Sequence, residues 1–293
     1  MLGFHLPNFS RAYRFLERVE RGAAISTYLK EHPCHIYDIG SGTGAFAQGF
    51  QTIFPNTHPI HVVEPNKHLL KLAVDLLRNT PGIAPSAVQP IQCRAHEIRM
   101  PNHTEETSLF LLGNVLNQIQ NPRKKYLQFL DKLGEQVVRN SIIFIMEPAT
   151  EAPSTEMMQV RNQLVAKGFI PLYPCPHTQT CPLTGTRDRC YSDFPLLPIP
   201  EMHWLDAQLG IKRHVFSASA YCLASPSVAA RLQRKTPMPT LVGKPVVQDK
   251  KVALLCTPVG TIERKACDTS KKMRGEVFFT PLTPKPDKPR PKP

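Results

Sequence analysis

Residues 37–46, Tyr37-Asp38-Ile39-Gly40-Ser41-Gly42-Thr43-Gly44-Ala45-Phe46, constrain the fold of this chain more than any other stretch. They follow a short apolar run at residues 35–38 and open a helical pattern over residues 45–54. Glycine at every second position lets the backbone turn sharply and approach a ligand with no Cβ in the way. The helix that follows adds N–H groups that have no partner within the helix. A strand, a glycine turn and a helix in that order predict the first crossover of a parallel α/β sheet with a ligand at its rim. Gly40, Gly42 and Ala45 alone would also fit the GxGxxA pattern of a dinucleotide site.

The alternation continues. Phe15, Leu16, Val19, Ala23, Ile25 and Leu29 recur at helical spacing and predict an amphipathic helix over residues 9–30. Strands are expected at residues 61–64, 89–93, 108–112 and 141–147, with helices over 67–78 and 122–134. The β-branched run Ser141-Ile142-Ile143-Phe144-Ile145-Met146-Glu147 is the clearest strand. After Pro148 the pattern breaks: residues 171–200 hold seven prolines and three cysteines, and only 214–224 and 251–256 read as strands again. The expected organisation is an N-terminal helical segment (1–34), a Rossmann-like core (35–170), a Cys/Pro-rich insertion (171–213), C-terminal strands completing the sheet as an antiparallel hairpin (214–279) and a disordered basic, proline-rich tail (280–293).

At 41% hydrophobic and 20% charged residues the chain can bury a core, which excludes wholesale disorder. No apolar run reaches the roughly 18 residues of a membrane span. Arg11, Arg14, Arg18 and Arg21 mixed with Glu17, Glu20 and Glu31 leave no apolar stretch for a secretory signal. The expectation is a soluble, cytoplasmic protein with no membrane partner, reduced cysteines, and a monomeric state when it is off any larger assembly.

Asp38, two residues before Gly40, makes the turn D-x-G-x-G-x-G. In this it resembles the class I S-adenosylmethionine-dependent methyltransferases. The resemblance implies that the acid at Asp38 lies near the methionine end of the cofactor, with Gly40, Ser41, Gly42 and Gly44 around it. It also implies that Glu64, ending the second strand, takes the ribose hydroxyls, and that the Cys93-Arg94-Ala95-His96-Glu97 segment, with His96, contacts the adenine. A carboxylate suits vicinal hydroxyls because it can accept from both. Turn and cap chemistry is the alternative for both acids. Asn114, in Gly113-Asn114-Val115-Leu116-Asn117, is a weak catalytic candidate that could orient a substrate or simply cap. That loop has no proline and no aromatic ring to sandwich a flipped base, so cofactor binding is better supported than methyl transfer.

Cys175, Cys181 and Cys190 are spaced C-x5-C-x8-C in a segment with little regular structure, where thiolates on a soft metal could supply the missing cohesion. Candidates for a fourth ligand are Cys256 at a strand end, Cys267 and His177; Cys34, Cys93 and Cys222 read as small core residues. Spacing alone leaves zinc and iron–sulfur open. The run Cys175-Pro176-His177, Cys181-Pro182-Leu183 and Asp188-Arg189-Cys190, behind a methyltransferase-like domain, resembles the mitochondrial small-ribosomal-subunit assembly family of methyltransferase-like proteins and their bacterial relatives, over roughly residues 35–260. That resemblance implies a role in small-subunit maturation and a 4Fe–4S cluster on Cys175, Cys181, Cys190 and Cys256. This chain departs from the pattern with Arg189 where Trp is usual, and with Val259 where an acid precedes Gly260.

Lysine and arginine exceed Asp and Glu by 36 to 23, a net charge of +13. From Lys250 onward eleven basic and four acidic residues give +7, in pairs such as Lys250-Lys251, Arg264-Lys265 and Lys271-Lys272, with Arg274 nearby. Such density favours a phosphate backbone, and Phe278-Phe279 could stack on bases. The expected α/β protein is thus a class I methyltransferase Rossmann-like sheet with an antiparallel C-terminal hairpin and an inserted Cys-rich metal-binding loop. It is expected to bind S-adenosylmethionine and small-subunit rRNA. Open readings are an rRNA methyltransferase, a non-catalytic assembly factor with a vestigial pocket, and a small-molecule methyltransferase with structural zinc.

Overall fold

The computed structural model describes residues 2–98, 106–116, 139–242, 252–266 and 274–275. The helix expected at 122–134, Asn117, Cys267, the basic pairs Lys250-Lys251 and Lys271-Lys272, Phe278-Phe279 and the tail 280–293 lie outside the described residues.

The central sheet runs β3-β2-β1-β4-β5-β8-β6, with β7 also paired to β8. β1 (Cys34–Ile39), β2 (Ile60–Val63), β3 (Val88–Ile91), β4 (Thr107–Gly113) and β5 (Ser141–Pro148) are mutually parallel. Chain order reverses between β1 and β4, so their C-terminal ends open a crevice at the switch point, where doubly wound sheets bind ligands. β8 (Val215–Ala224) is antiparallel to β5. Its far edge is shared by β6 (Ile170–Tyr173) near one end and β7 (Ser192–Pro195) near the other. The cysteine segment therefore leaves and re-enters along one edge of one strand.

Helices cover both faces. Side chains alternate along each strand, so Ile36, Leu109, Leu111, Ile142, Phe144 and Cys222 face one layer and Tyr37, Ile39, Phe110, Leu112, Ile143 and Ile145 the other. The first layer takes α1 (Leu2–Ala23), α3 (Ala45–Ile53), α4 (Lys67–Arg78) and the short α6 (Pro226–Arg231). Phe15 of α1 is its hub, with its ring 5.6–6.5 Å from those of Phe46, Phe144, Tyr173 and Phe194. The second layer takes α5 (Glu151–Ala166) through Met157, Met158 and Leu164, and with it Cys175, Cys181, Cys190 and Cys256.

Three expectations change. The N-terminal helix is two: α1 stops at Ala23, Ala24 takes φ +48°, and α2 (Ile25–Glu31) restarts. The third strand is Val88–Ile91 rather than 89–93. The strand at Cys256 forms no hairpin with β8: β10 (Val252–Cys256) pairs with β9 (Thr240–Leu241) and β11 (Ile262–Ala266) in a separate antiparallel sheet. β8 already has β5 on one edge and β6 with β7 on the other, so no edge remains for β10. Among the described residues no helix is long and apolar enough to cross a membrane.

Candidate cofactor pocket and cysteine centre

β1 delivers Asp38 to the sheet rim, and Gly40, Gly42 and Gly44 then take φ of +64°, +54° and +77°. These are left-handed conformations that other residues adopt at a cost. A Cβ on Gly40 would sit 2.7 Å from Val115 Cγ2 and one on Gly44 3.2 Å from Ala73 Cβ, whereas nothing lies within 4 Å of the corresponding point on Gly42. The outer two glycines are thus fixed by packing, and Gly42 faces open space. The amides of Gly40 and Ser41 both donate to the Val63 carbonyl, at 2.8 and 3.1 Å.

Glu64 joins this turn to the next. Its Oε2 accepts from the Gly42 amide and its Oε1 from the Asn66 amide, each at 3.0 Å. Asn66 in turn caps α4, its side chain accepting from the His68 and Leu69 amides. Both Glu64 oxygens retain lone pairs for a further donor. Asp38 is 1% exposed and accepts from the Ala47 amide at 3.3 Å. Burial pushes its carboxyl up to about 7, against that hydrogen bond and aided by the charge of Glu64. The Ser41 hydroxyl is buried without a hydrogen-bond partner among the described residues, a polar atom left for something the pocket receives.

α1 closes the pocket from the side. His5 bridges Thr43 Oγ1 and Gln48 Oε1, each at 2.9 Å, and Asn8 Oδ1 accepts from Asn114 Nδ2 at 3.4 Å. Asn114 has φ +57°, a conformation Asn tolerates better than most residues. The loop after β4 is then held by Glu147, buried at the end of β5, whose Oε1 accepts from the Leu116 amide at 2.8 Å. His96 lies on the exposed turn Ala95–Glu97 after β3, 3.9 Å from the Glu97 carboxylate. Sequence reading missed His5, Asn8 and Glu147. Only Glu147 left a signal, a single acid ending an apolar strand as Glu64 does.

The second cluster is on the opposite layer. Cys175 follows β6, Cys181 and Cys190 lie in the loop before β7, and Cys256 ends β10; all four are buried. Cys190 is pushed well above the ordinary thiol range by burial first and then by Cys175, Cys181 and Cys256, whose negative charge would disfavour a further thiolate. Burial chiefly, then Cys175 and Cys181, pushes Cys256 up to about 12. Cys175 is raised to about 11, mainly by burial, with Arg161 opposing. Cysteines distant in sequence are thus packed in the same buried layer. Among the described residues no three His, Cys, Asp or Glu side chains are arranged to hold a single metal ion. His177, also buried, places its Nε2 3.3 Å from Cys256 Sγ. The described cysteines are all free thiols.

The loop around them is anchored by polar contacts. Asn162 Oδ1 accepts from the Cys181 amide at 2.8 Å, and Thr240 Oγ1 donates to the Pro174 carbonyl at 2.9 Å. At Gly260, φ +81°, a Cβ would come within 2.8 Å of Gln179 Cβ, so the β10–β11 turn packs backbone-close against the cysteine loop.

On the other side of Cys175 a cavity of about 210 Å³ is lined by Arg18, Arg21, Arg234 and Lys235 among prolines and backbone, with no acidic residue. Arg274, expected on the basic surface, is instead buried: its guanidinium lies over the Tyr191 ring at 4.3 Å. Burial was not legible there because Arg274 follows the basic pair Lys271-Lys272 and no periodicity marks its surroundings.

The chain matches the family model described as mitochondrial small ribosomal subunit Rsm22 over residues 5–280. Two relatives from Schizosaccharomyces pombe, Rsm22-cox11 tandem proteins 1 and 2, mitochondrial, are 24% identical over 161 residues, 51% of this chain and 21% of theirs. The chain thus spans about a fifth of the length of these curated relatives. Among solved structures, a SAM-dependent methyltransferase from Leishmania major has a TM-score of 0.42 at 15% identity, covering 73% of each chain. Precorrin-6y C5,15-methyltransferase from Geobacter metallireducens gives 0.39 at 13% identity, covering 69% of this chain and 85% of that one.

Proposed function

The chain belongs to the mitochondrial small ribosomal subunit Rsm22 family, and on that premise we propose that it is a small-subunit assembly factor that binds S-adenosylmethionine, small-subunit rRNA and an iron–sulfur centre. The observation that carries the reading is the burial of Cys256, from the second sheet, in the same layer as Cys175, Cys181 and Cys190.

Four thiols suit a soft inorganic group, 4Fe–4S by the family resemblance and zinc as the rival. When bound, such a group supplies cohesion to a loop that has little regular structure of its own. In the rim pocket, Asp38 would receive the ammonium of the methionine end and Glu64 the ribose hydroxyls. The open space at Gly42 and the unpartnered Ser41 hydroxyl leave room and a polar contact for the same ligand. His96 is proposed as an adenine neighbour. The sulfonium methyl is the group such a cofactor would deliver, and Asn114 is the residue nearest to a substrate role.

RNA binding is proposed from the charge of +13 and from the cation-lined cavity beside Cys175, and it should weaken steeply with salt. The factor would act where small subunits are built: the family description names the mitochondrion, and the cytoplasmic expectation holds for a bacterial host. A non-catalytic variant of the reading is favoured by the loop after β4, which Asn8 and Glu147 already engage through Asn114 and Leu116.

Labelled S-adenosylmethionine incubated with the protein and immature small subunits separates the two. Label in rRNA supports a methyltransferase. Cofactor binding without transfer supports the assembly role. No cofactor binding defeats the pocket reading.

A further inference from the structure

Arg161 is the largest fully buried side chain among the described residues, 1% exposed, and lies within α5. Its Nη1 donates to the Gln179 carbonyl and its Nη2 to the His177 carbonyl at 2.5 Å, both in the cysteine loop. Its Nη2 also lies 3.4 Å from His177 Nδ1, and the other nitrogen of that ring lies 3.3 Å from Cys256 Sγ, so one imidazole links Arg161 to the cysteines. Its Nε is buried without a partner, and no carboxylate lies within ion-pair distance of its guanidinium among the described residues.

An arginine stays protonated when buried, and an unpaired buried charge is costly enough that structures rarely keep one. Carbonyl dipoles offset part of that cost, but they do not neutralise the charge. The loop it anchors carries three of the cysteines, and a metal centre on them would hold them as thiolates, supplying the anion the guanidinium lacks.

We propose that Arg161 is the built-in counter-ion of the four-cysteine centre, a positioning residue that neutralises part of its negative charge while fixing residues 177–179 over it. The proposal rests on the reading of the four cysteines as ligands. It follows that the centre is better held, and more easily reduced, with the cation present, because reduction adds negative charge beside it.

The test uses the full chain purified without oxygen as wild type, Arg161→Lys and Arg161→Gln, reconstituted with ferrous iron and sulfide. Circular dichroism and thermal melting check the fold of each. The readouts are iron per chain, the rate of iron loss to a chelator, and the midpoint potential. Lysine keeps the charge and glutamine keeps donors for the carbonyls. The expected result is a lower potential and several-fold faster iron loss for Arg161→Gln, with Arg161→Lys close to wild type. A loaded wild type whose potential and iron loss are matched by a folded Arg161→Gln would overturn the counter-ion role. Equal losses in both variants would reduce Arg161 to a hydrogen-bonding role and also overturn it. A wild type that binds no metal at all would instead defeat the cysteine reading beneath it.

Discussion

Asp38 shows how much one residue carries. A carboxyl raised to about 7 by burial is mostly protonated at pH 6 and mostly ionised at pH 8. Since its ordinary value is 3.8, the folded state holds the proton more tightly than the unfolded one. Its contribution to stability is fully present below about pH 4 and is lost as pH rises through 7. Asp38→Asn should therefore melt close to wild type at pH 4 and above it at pH 8, by up to about 4 kcal/mol. A cationic ligand reverses the preference, since an ammonium beside Asp38 favours its ionised form. Titration calorimetry should find S-adenosylmethionine bound more tightly at pH 8 than at pH 6 by the wild type, with little pH dependence left in the asparagine variant. Asp38 and Glu64 stood out in the sequence by their offsets from the glycine turn, and the structure brings both onto it through the Ala47 and Gly42 amides. Arg161 did not stand out: in sequence it is an arginine within a polar helix, and only the fold shows that its side is walled by the cysteine loop.

Among the elements, strand identity was legible and strand partnership was not. Short apolar runs bounded by turn residues marked β1, β4, β5 and β8. Periodicity marked β10 as well, but carries no information about which edge a strand joins, and so the second sheet went unseen. The break at Ala24 was equally hidden: Gly22, two residues earlier, stays helical and the φ of +48° falls on an alanine. Gly260 is the element-scale test of the cysteine loop. Substitution by alanine forces φ +81° on a residue with a Cβ and drives that carbon into Gln179. Gly260→Ala should lower stability by about 1–3 kcal/mol in chemical unfolding and should reduce metal bound per chain; a variant with unchanged metal content would show that the β10–β11 turn does not brace the loop.

For the whole molecule, the two sites occupy opposite layers of one sheet. The cofactor pocket draws on β1, β2, the loop after β4 and α1; the cysteine centre draws on α5, the β6–β7 loop and the second sheet. Removing metal should therefore act locally. Hydrogen exchange on chelator-treated protein should quicken in residues 174–191 and 254–263, while residues 38–47 keep their protection and S-adenosylmethionine affinity stays within about twofold. Quickened exchange throughout both layers would mean that the centre supports the global fold instead. The most direct measurement of the central claim is the metal and sulfide content, with the visible absorption spectrum, of anaerobically purified wild type and Cys256→Ser. The account predicts a brown wild type with about four iron and four sulfide per chain, and loss of most of both in the variant. A colourless wild type, or a cluster that survives Cys256→Ser intact, would contradict it.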